Sequence, residues 1–310
     1  MIHMILVIYS SVFISQKIII FKLVDLCKSK KYELLHFKGH TEEATIGNNK
    51  ILALIETNKL INMICQLCLE DKQLIENSHI IPNFMYKGLF GVKHILANIN
   101  IQDVTKVTYQ QTGFKDRDIL CADCDNAVIG VLERYACNYL YNSHDSIDTE
   151  IMPGDSMYVS CIRYKNLDYT KLKLFFLTIL WKSHVSKNPF FKEIDLGAGY
   201  AERLRKMILD RDAGAEDEFE VILVKIENNG TKPTQSIVQP RRIKDNGNTA
   251  YGYHINGIMY HFNVSKYNKM SMFDKGIIKK DGIIDIAIIG DDFGNGYFDS
   301  FVGRKLLLKK

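Results

Sequence analysis

Four cysteines in two identical spacings are the residues of this chain best equipped for chemistry. They read Cys65-Gln66-Leu67-Cys68 and Cys121-Ala122-Asp123-Cys124. Two thiolates separated by two residues can wrap their backbone around one ion, and a second pair completes the four-sulfur tetrahedral set of a structural zinc site. Between the pairs lies Asn77-Ser78-His79-Ile80-Ile81-Pro82, which places an imidazole, whose ordinary pKa is near neutrality, at the end of a short β-like run. Directly after the second pair come Asp125 and Asn126, whose oxygens suit a hard divalent cation.

Two Cys-x-x-Cys knuckles around a short strand ending in His-Ile-Ile-Pro, with a helix opening at the second knuckle, resemble the ββα-metal fold of zinc-containing HNH endonucleases. The resemblance covers residues 65–141, about a quarter of the chain. It extends to a group of uncharacterised bacterial proteins with Ser-His-Ile-Ile-Pro after the first knuckle, and loosely to Leu180-Trp181-Lys182 and Glu202-Arg203-Leu204-Arg205. The resemblance implies hydrolysis of DNA phosphodiester bonds, in defence against foreign DNA. It further implies a structural Zn²⁺ on Cys65, Cys68, Cys121 and Cys124, and a catalytic Mg²⁺ or Mn²⁺ that holds the scissile phosphate. His79 matches the general base, and Asp125 and Asn126 match the metal-binding position at the helix start.

The sequence departs from that pattern at Ser78, where the family commonly has Asp or His; a hydroxyl is a poor sole ligand for a hard cation. Glu76 or Asn77 are the nearby replacements, and Asp116 is the nearest match to the Asn that the pattern places ahead of the second knuckle. A second reading therefore stands beside the first: a non-catalytic zinc module for nucleic-acid or protein binding, with His79 hydrogen-bonded inside a zinc-stabilised turn and Ile80 and Ile81 in the core. The two readings differ in whether a second cation site exists beside His79.

The elements that must position these residues are read from periodicity. Residues 83–87 open a helix or turn after Pro82, residues 88–112 form an insertion with a strand at 104–110, and apolar residues at helical spacing predict a helix over 125–141. An apolar helix is expected at 171–185 and a second at 198–210, where Leu204, Met207 and Ile208 share a face. Strands at 219–226, 236–239, 255–264 and 283–289 are separated by Gly- and Asn-containing turns, which predicts antiparallel pairing. Near the start, 7–13 and 18–24 are β-branched runs too interrupted by Gln16-Lys17 for a bilayer span and without a leader's charged start, and 50–61 reads as a short helix.

At 310 residues, 46% hydrophobic and 25% charged, the chain has an ordinary globular composition, and a net charge of +4 neither demands nor forbids a nucleic-acid partner. Seven cysteines, four of them at metal spacing, fit a reducing cytoplasm and leave Cys27, Cys137 and Cys161 as free thiols. His94, His144, His184, His254 and His261 have no partner at ligand spacing, and Gly197-Ala198-Gly199 precedes a helix without a full phosphate-loop pattern. Basic runs at 28–31, 241–244, 279–280 and 304–310 are either solvated faces or phosphate contacts.

The expected architecture is α+β: an extension at 1–62, a zinc-knuckle ββα-metal (HNH-like) module at 63–145, and a C-terminal domain at 146–310 of helices and a mainly antiparallel sheet. The boundary is set at the polar stretch 142–155 with Pro153-Gly154. Met63 is also a candidate start, which would make the first 62 residues an upstream extension of the reading frame. No membrane partner is expected.

Overall fold

The computed structural model describes residues 43–46, 49–52, 64–91, 94–100, 103–141, 149–154, 158–227, 236–245, 248–265 and 275–290. The chain divides into two compact units, Met1–Asn62 and Met63–Lys310. The first contributes an antiparallel pair, β1 (Glu43–Ile46) and β2 (Asn49–Leu52). Residues 50–52 are therefore strand where a helix over 50–61 was expected, since Ile51 and Leu52 find a pairing partner. The runs at 7–13 and 18–24 lie outside the described residues.

The second unit is mixed α+β, with three helices among the described residues and a mainly antiparallel sheet. Its first part carries β3 (Ser78–His79), a 3-10 turn (Asn83–Tyr86), a hairpin of β4 (Leu96–Asn100) and β5 (Asp103–Gln110), and β6 (Lys115–Asp116), which pairs antiparallel with β3. Helix α1 follows as one continuous element, a π-helical segment (Cys124–Ile129), an α-helical segment (Gly130–Ala136) and a second π-helical segment (Cys137–Tyr141). Gly113 lets the chain enter β6 flush against a buried ring, because a Cβ there would meet Tyr86 at 2.5 Å. The Tyr86 hydroxyl accepts from the Phe114 N–H at 3.0 Å, which satisfies both groups inside the core.

Seven strands then form one sheet in the order β10-β11-β12-β9-β13-β8-β7. These are β7 (Thr149–Pro153), β8 (Ser160–Tyr164), β9 (Val221–Ile226), β10 (Ile237–Asp245), β11 (Asn248–Ile255), β12 (Ile258–Asn263) and β13 (Ile284–Ile289). All pairs are antiparallel except β9 with β13. The predicted strand 255–264 is split in two, because Asn256 and Gly257 both hold positive φ (52° and 79°), the two-residue turn that joins β11 to β12. Pro153 ends strand β7 within this sheet.

Helix α2 (Tyr169–Val185) and helix α3 (Gly197–Asp210) match their expected spans to within two residues. Asp168 caps α2 by accepting from the Lys171 N–H at 2.9 Å. Every residue of α2 from Leu172 to Ser183 is buried, as expected of a helix covered on all sides. Phe176 meets Tyr260 of the sheet at 5.3 Å between ring centroids, and Phe175 stacks on Phe84 of the knuckle region at 5.8 Å. One hydrophobic core thus runs from Cys65, Ile80 and Leu132 through α2 to Tyr253 and Phe262. The opposite sheet face has a smaller core of Ile222, Val224, Met259 and Ala287, beside which Glu220, His254, His261 and Asn263 are buried.

Candidate metal centre and histidine corner

The first knuckle is a tight turn closed by backbone hydrogen bonds from Leu69 N–H to the Cys65 carbonyl (2.8 Å) and from Cys65 N–H to the Glu70 carbonyl (3.0 Å). Leu69 holds φ at 61°, the left-handed conformation that lets Cys68 turn back toward Cys65. The second knuckle is laid against it: Gln66 N–H donates to the Ile119 carbonyl at 2.8 Å, and Cys121 N–H points at the Cys65 sulfur at 3.3 Å. As a result the four Sγ atoms of Cys65, Cys68, Cys121 and Cys124 lie within 4.8 Å of one another. With Zn–S bonds of about 2.3 Å, the sulfurs of a tetrahedral site are about 3.8 Å apart, so the four thiols can close on one ion by small side-chain adjustments.

The electrostatics suit a cation. Burial alone would raise the Cys65 pKa, but backbone N–H groups of Cys68, Cys121 and Leu67 point at its sulfur and hold it below its ordinary value. Burial pushes Cys124 up, and the neighbouring thiols add to that push, a crowding of like groups that a central cation relieves. Four cysteines close together, all free of disulfides, are thus a site able to bind a metal such as zinc. Cys137 and Cys161 are also free thiols, and Cys27 lies outside the described residues.

Around His79 the structure brings together only part of the expected set. Strand β3 pairs Ser78 with Asp116 and His79 with Lys115, and the first π turn of α1 presents Asp125 to β3. The buried Ser78 hydroxyl donates to Asp125 Oδ1 at 2.9 Å. His79 is half-buried; its Nε2 is enclosed and has no hydrogen-bond partner among the described residues, while the Asn83 side chain bonds to the ring. Burial lowers the His79 pKa, the Lys115 and Lys182 charges lower it further, and Asp125 and Asn83 act in the opposite sense.

Other expected ligands are elsewhere. Asn126 is exposed and its amide donates back to the Ala122 carbonyl at 3.0 Å, so it does not join His79 and Asp125. The Asp116 carboxylate accepts from Ser186 Oγ (2.8 Å), Lys187 N–H (2.6 Å) and Arg117 N–H (2.9 Å), a tie between β6 and the end of α2. Glu76 and Asn77 are exposed. Among the described residues, no group of three or more His, Cys, Asp or Glu side chains other than the four cysteines gathers closely enough to hold an ion. The start of α3 is not a phosphate loop either, because the Asp195 carboxylate already accepts from Gly197 N–H at 3.0 Å.

Two residues near these sites entered the sequence reading only through the loose resemblance and without a role. Lys182 is only 1% exposed, is paired with Glu133 of α1 at 3.1 Å, and places a positive charge near His79; a lysine directly after the apolar run 174–181 was the available signal. Arg205 of α3 donates to the Leu67 carbonyl within the first knuckle, a contact that no local pattern announces. No family model, curated protein or solved structure matches the chain. Among the described residues, no helix is long and apolar enough to cross a membrane.

Proposed function

We propose that this protein is a zinc-stabilised, metal-dependent endonuclease of the HNH type that hydrolyses DNA phosphodiester bonds. The observation that carries the reading is the buried Ser78–Asp125 hydrogen bond of 2.9 Å, which ties the start of α1 to β3 beside His79, inside the frame of the four cysteines. Zinc on those cysteines holds the β3–β6 pair and α1 in register. A divalent Mg²⁺ or Mn²⁺, when bound, supplies Lewis-acid stabilisation of the phosphate. Asp125 fits that ion, since Mg²⁺ is commonly held by one or two carboxylates, water and substrate phosphate, and Ser78 orients the carboxylate through its hydroxyl. His79 takes a proton from the attacking water, and burial, together with the nearby Lys115 and Lys182 charges, favours its neutral, proton-accepting form. Exposed Arg242 and Lys244 on the edge strand β10 are available to the DNA backbone.

A second reading, a non-catalytic zinc module that binds nucleic acid or protein, is favoured by one observation: among the described residues, no group of three or more His, Cys, Asp or Glu side chains forms around Asp125. The two separate in a cleavage assay of full-length protein on plasmid DNA with Mg²⁺ or Mn²⁺. The nuclease reading expects His79→Ala to lower the rate by roughly a hundredfold or more with zinc content and DNA affinity unchanged, because a positioned base contributes ~10²–10⁴-fold. Asp125→Ala should lose activity similarly and regain part of it at high Mn²⁺. Equal cleavage by wild type and His79→Ala removes His79 from the chemistry, and DNA binding without cleavage by either establishes the module reading.

A further inference from the structure

The first knuckle is tied to a helix far along the chain. The Arg205 side chain, only 11% exposed, reaches from α3 and donates through one guanidinium nitrogen to the carbonyl of Leu67, the residue immediately before Cys68. Glu202, one turn earlier, clamps the other side of the guanidinium with contacts of 2.7 and 2.9 Å. Helix α3 cannot easily swing away, since Leu204, Met207 and Ile208 are fully buried in the common core.

The peptide that Arg205 touches is the one whose N–H, at Cys68, points at the Cys65 sulfur. A cation accepted at the carbonyl end of a peptide polarises the N–H at its other end, so the two hydrogen bonds strengthen one another. Four thiolates around Zn²⁺ carry a net charge of −2. Arg205 is a cation held close to that charge by a helix anchored in the core, whereas Lys72, which bridges Glu70 (2.8 Å) and Asp123 (3.0 Å), is 38% exposed and shared between two exposed carboxylates.

From this geometry we infer that Arg205 is an outer-shell residue of the four-cysteine metal site, which compensates the charge of the thiolate set and sets the affinity for zinc through the Leu67–Cys68 peptide. The inference rests on the zinc part of the proposed function and not on nuclease activity. Outer-shell partners of metal ligands typically change affinity by about 10–100-fold. Without the guanidinium the Cys68 N–H is a weaker donor to Cys65, and the thiolate set loses a largely buried counter-charge.

The test is a competition for zinc between the full-length protein and a chromogenic chelator, with wild type, Arg205→Gln, Arg205→Lys and Lys72→Gln. Arg205→Gln should weaken zinc binding by roughly tenfold or more, and Arg205→Lys, which keeps the charge but loses the fork, by less, while Lys72→Gln should stay within about twofold of wild type. A purely bracing contact leaves the electronic state of the thiolates untouched, so the thiolate-to-metal charge-transfer band of the Co²⁺-substituted protein is recorded as well. Arg205→Gln should shift that band, and Arg205→Lys should shift it less. Should Arg205→Gln fail to fold, Arg205→Lys carries the same comparison. Unchanged zinc affinity in the folded Arg205 variants, or an unshifted band, overturns the inference alone. A wild-type protein that takes up no zinc overturns both the inference and the zinc part of the proposed function.

Discussion

The described residues of 64–141 contain strands β3 and β6 of two residues each, a four-residue 3-10 turn, the longer β4–β5 hairpin and a helix with π turns. Residues 149–290 build a sheet of seven strands, up to nine residues long, over the fully buried helix α2. The sheet draws its order from ladder hydrogen bonds and apolar faces, both of which are present in the chain alone. The knuckle region shares the common core but has short ladders, and its backbone N–H groups converge on sulfur atoms rather than on carbonyls. A metal on the four thiols would supply the order that so little regular structure does not.

The largest expected effect separates the two regions directly. Cys124→Ala, or removal of zinc by a chelator, should abolish stable structure in residues 64–141 while β9 and β12 keep their amide protection, because structural zinc binding is worth ~10–16 kcal/mol of folding free energy. Hydrogen exchange read segment by segment checks this. Equal loss of protection in sheet and knuckles would mean that the shared core makes the regions one cooperative unit.

A smaller effect belongs to the sheet alone. His261 of β12 is 4% exposed, and burial holds its pKa down at about 4. The native state keeps this ring neutral while the unfolded chain protonates near its ordinary value of 6.5, so the stability contribution is full above that value and is lost as pH falls toward 4. Between pH 7 and pH 5 the loss should be roughly 2 kcal/mol. Urea titrations of wild type and His261→Gln at both pH values isolate it, because acid release of zinc is common to the two proteins. Parallel pH dependence would exclude His261 as the source.

The smallest effect tests the seam between the regions. Asp116→Ala removes the acceptor shared by Ser186 and Lys187 at the end of α2 and should cost about 1–2 kcal/mol. The comparison sharpens if the loss is accompanied by earlier opening of β3 and β6 relative to the sheet in hydrogen exchange. Uniform destabilisation would show that Asp116 supports the whole unit rather than the junction.

Much was legible where local spacing carries physical meaning. The two Cys-x-x-Cys pairs define a turn that brings their own thiols together, a long apolar run defined α2, and a 3.6-residue apolar period defined α3 closely. Other signals were present but outweighed: Asn256-Gly257 is a strong hairpin turn, yet the apolar residues on both sides read as one strand. Strands β7 and β8 were missed because their polar, partly exposed residues earn their place only by pairing with β13 and with each other.

By itself, then, the sequence determined the two Cys-x-x-Cys pairs, the helices and the mixed α+β class, since each depends on residues a few positions apart. Tertiary structure alone decided the rest. It paired Ser78 with Asp125 across 47 positions, turned Asn126 back onto Ala122, and spent Asp116 on the end of α2. It put β13 between β9 and β8, and it delivered Arg205 to the Leu67 carbonyl across 138 positions. Such contacts are selected by burial and by the need to satisfy polar groups within a shared core, and neither condition exists until distant segments meet.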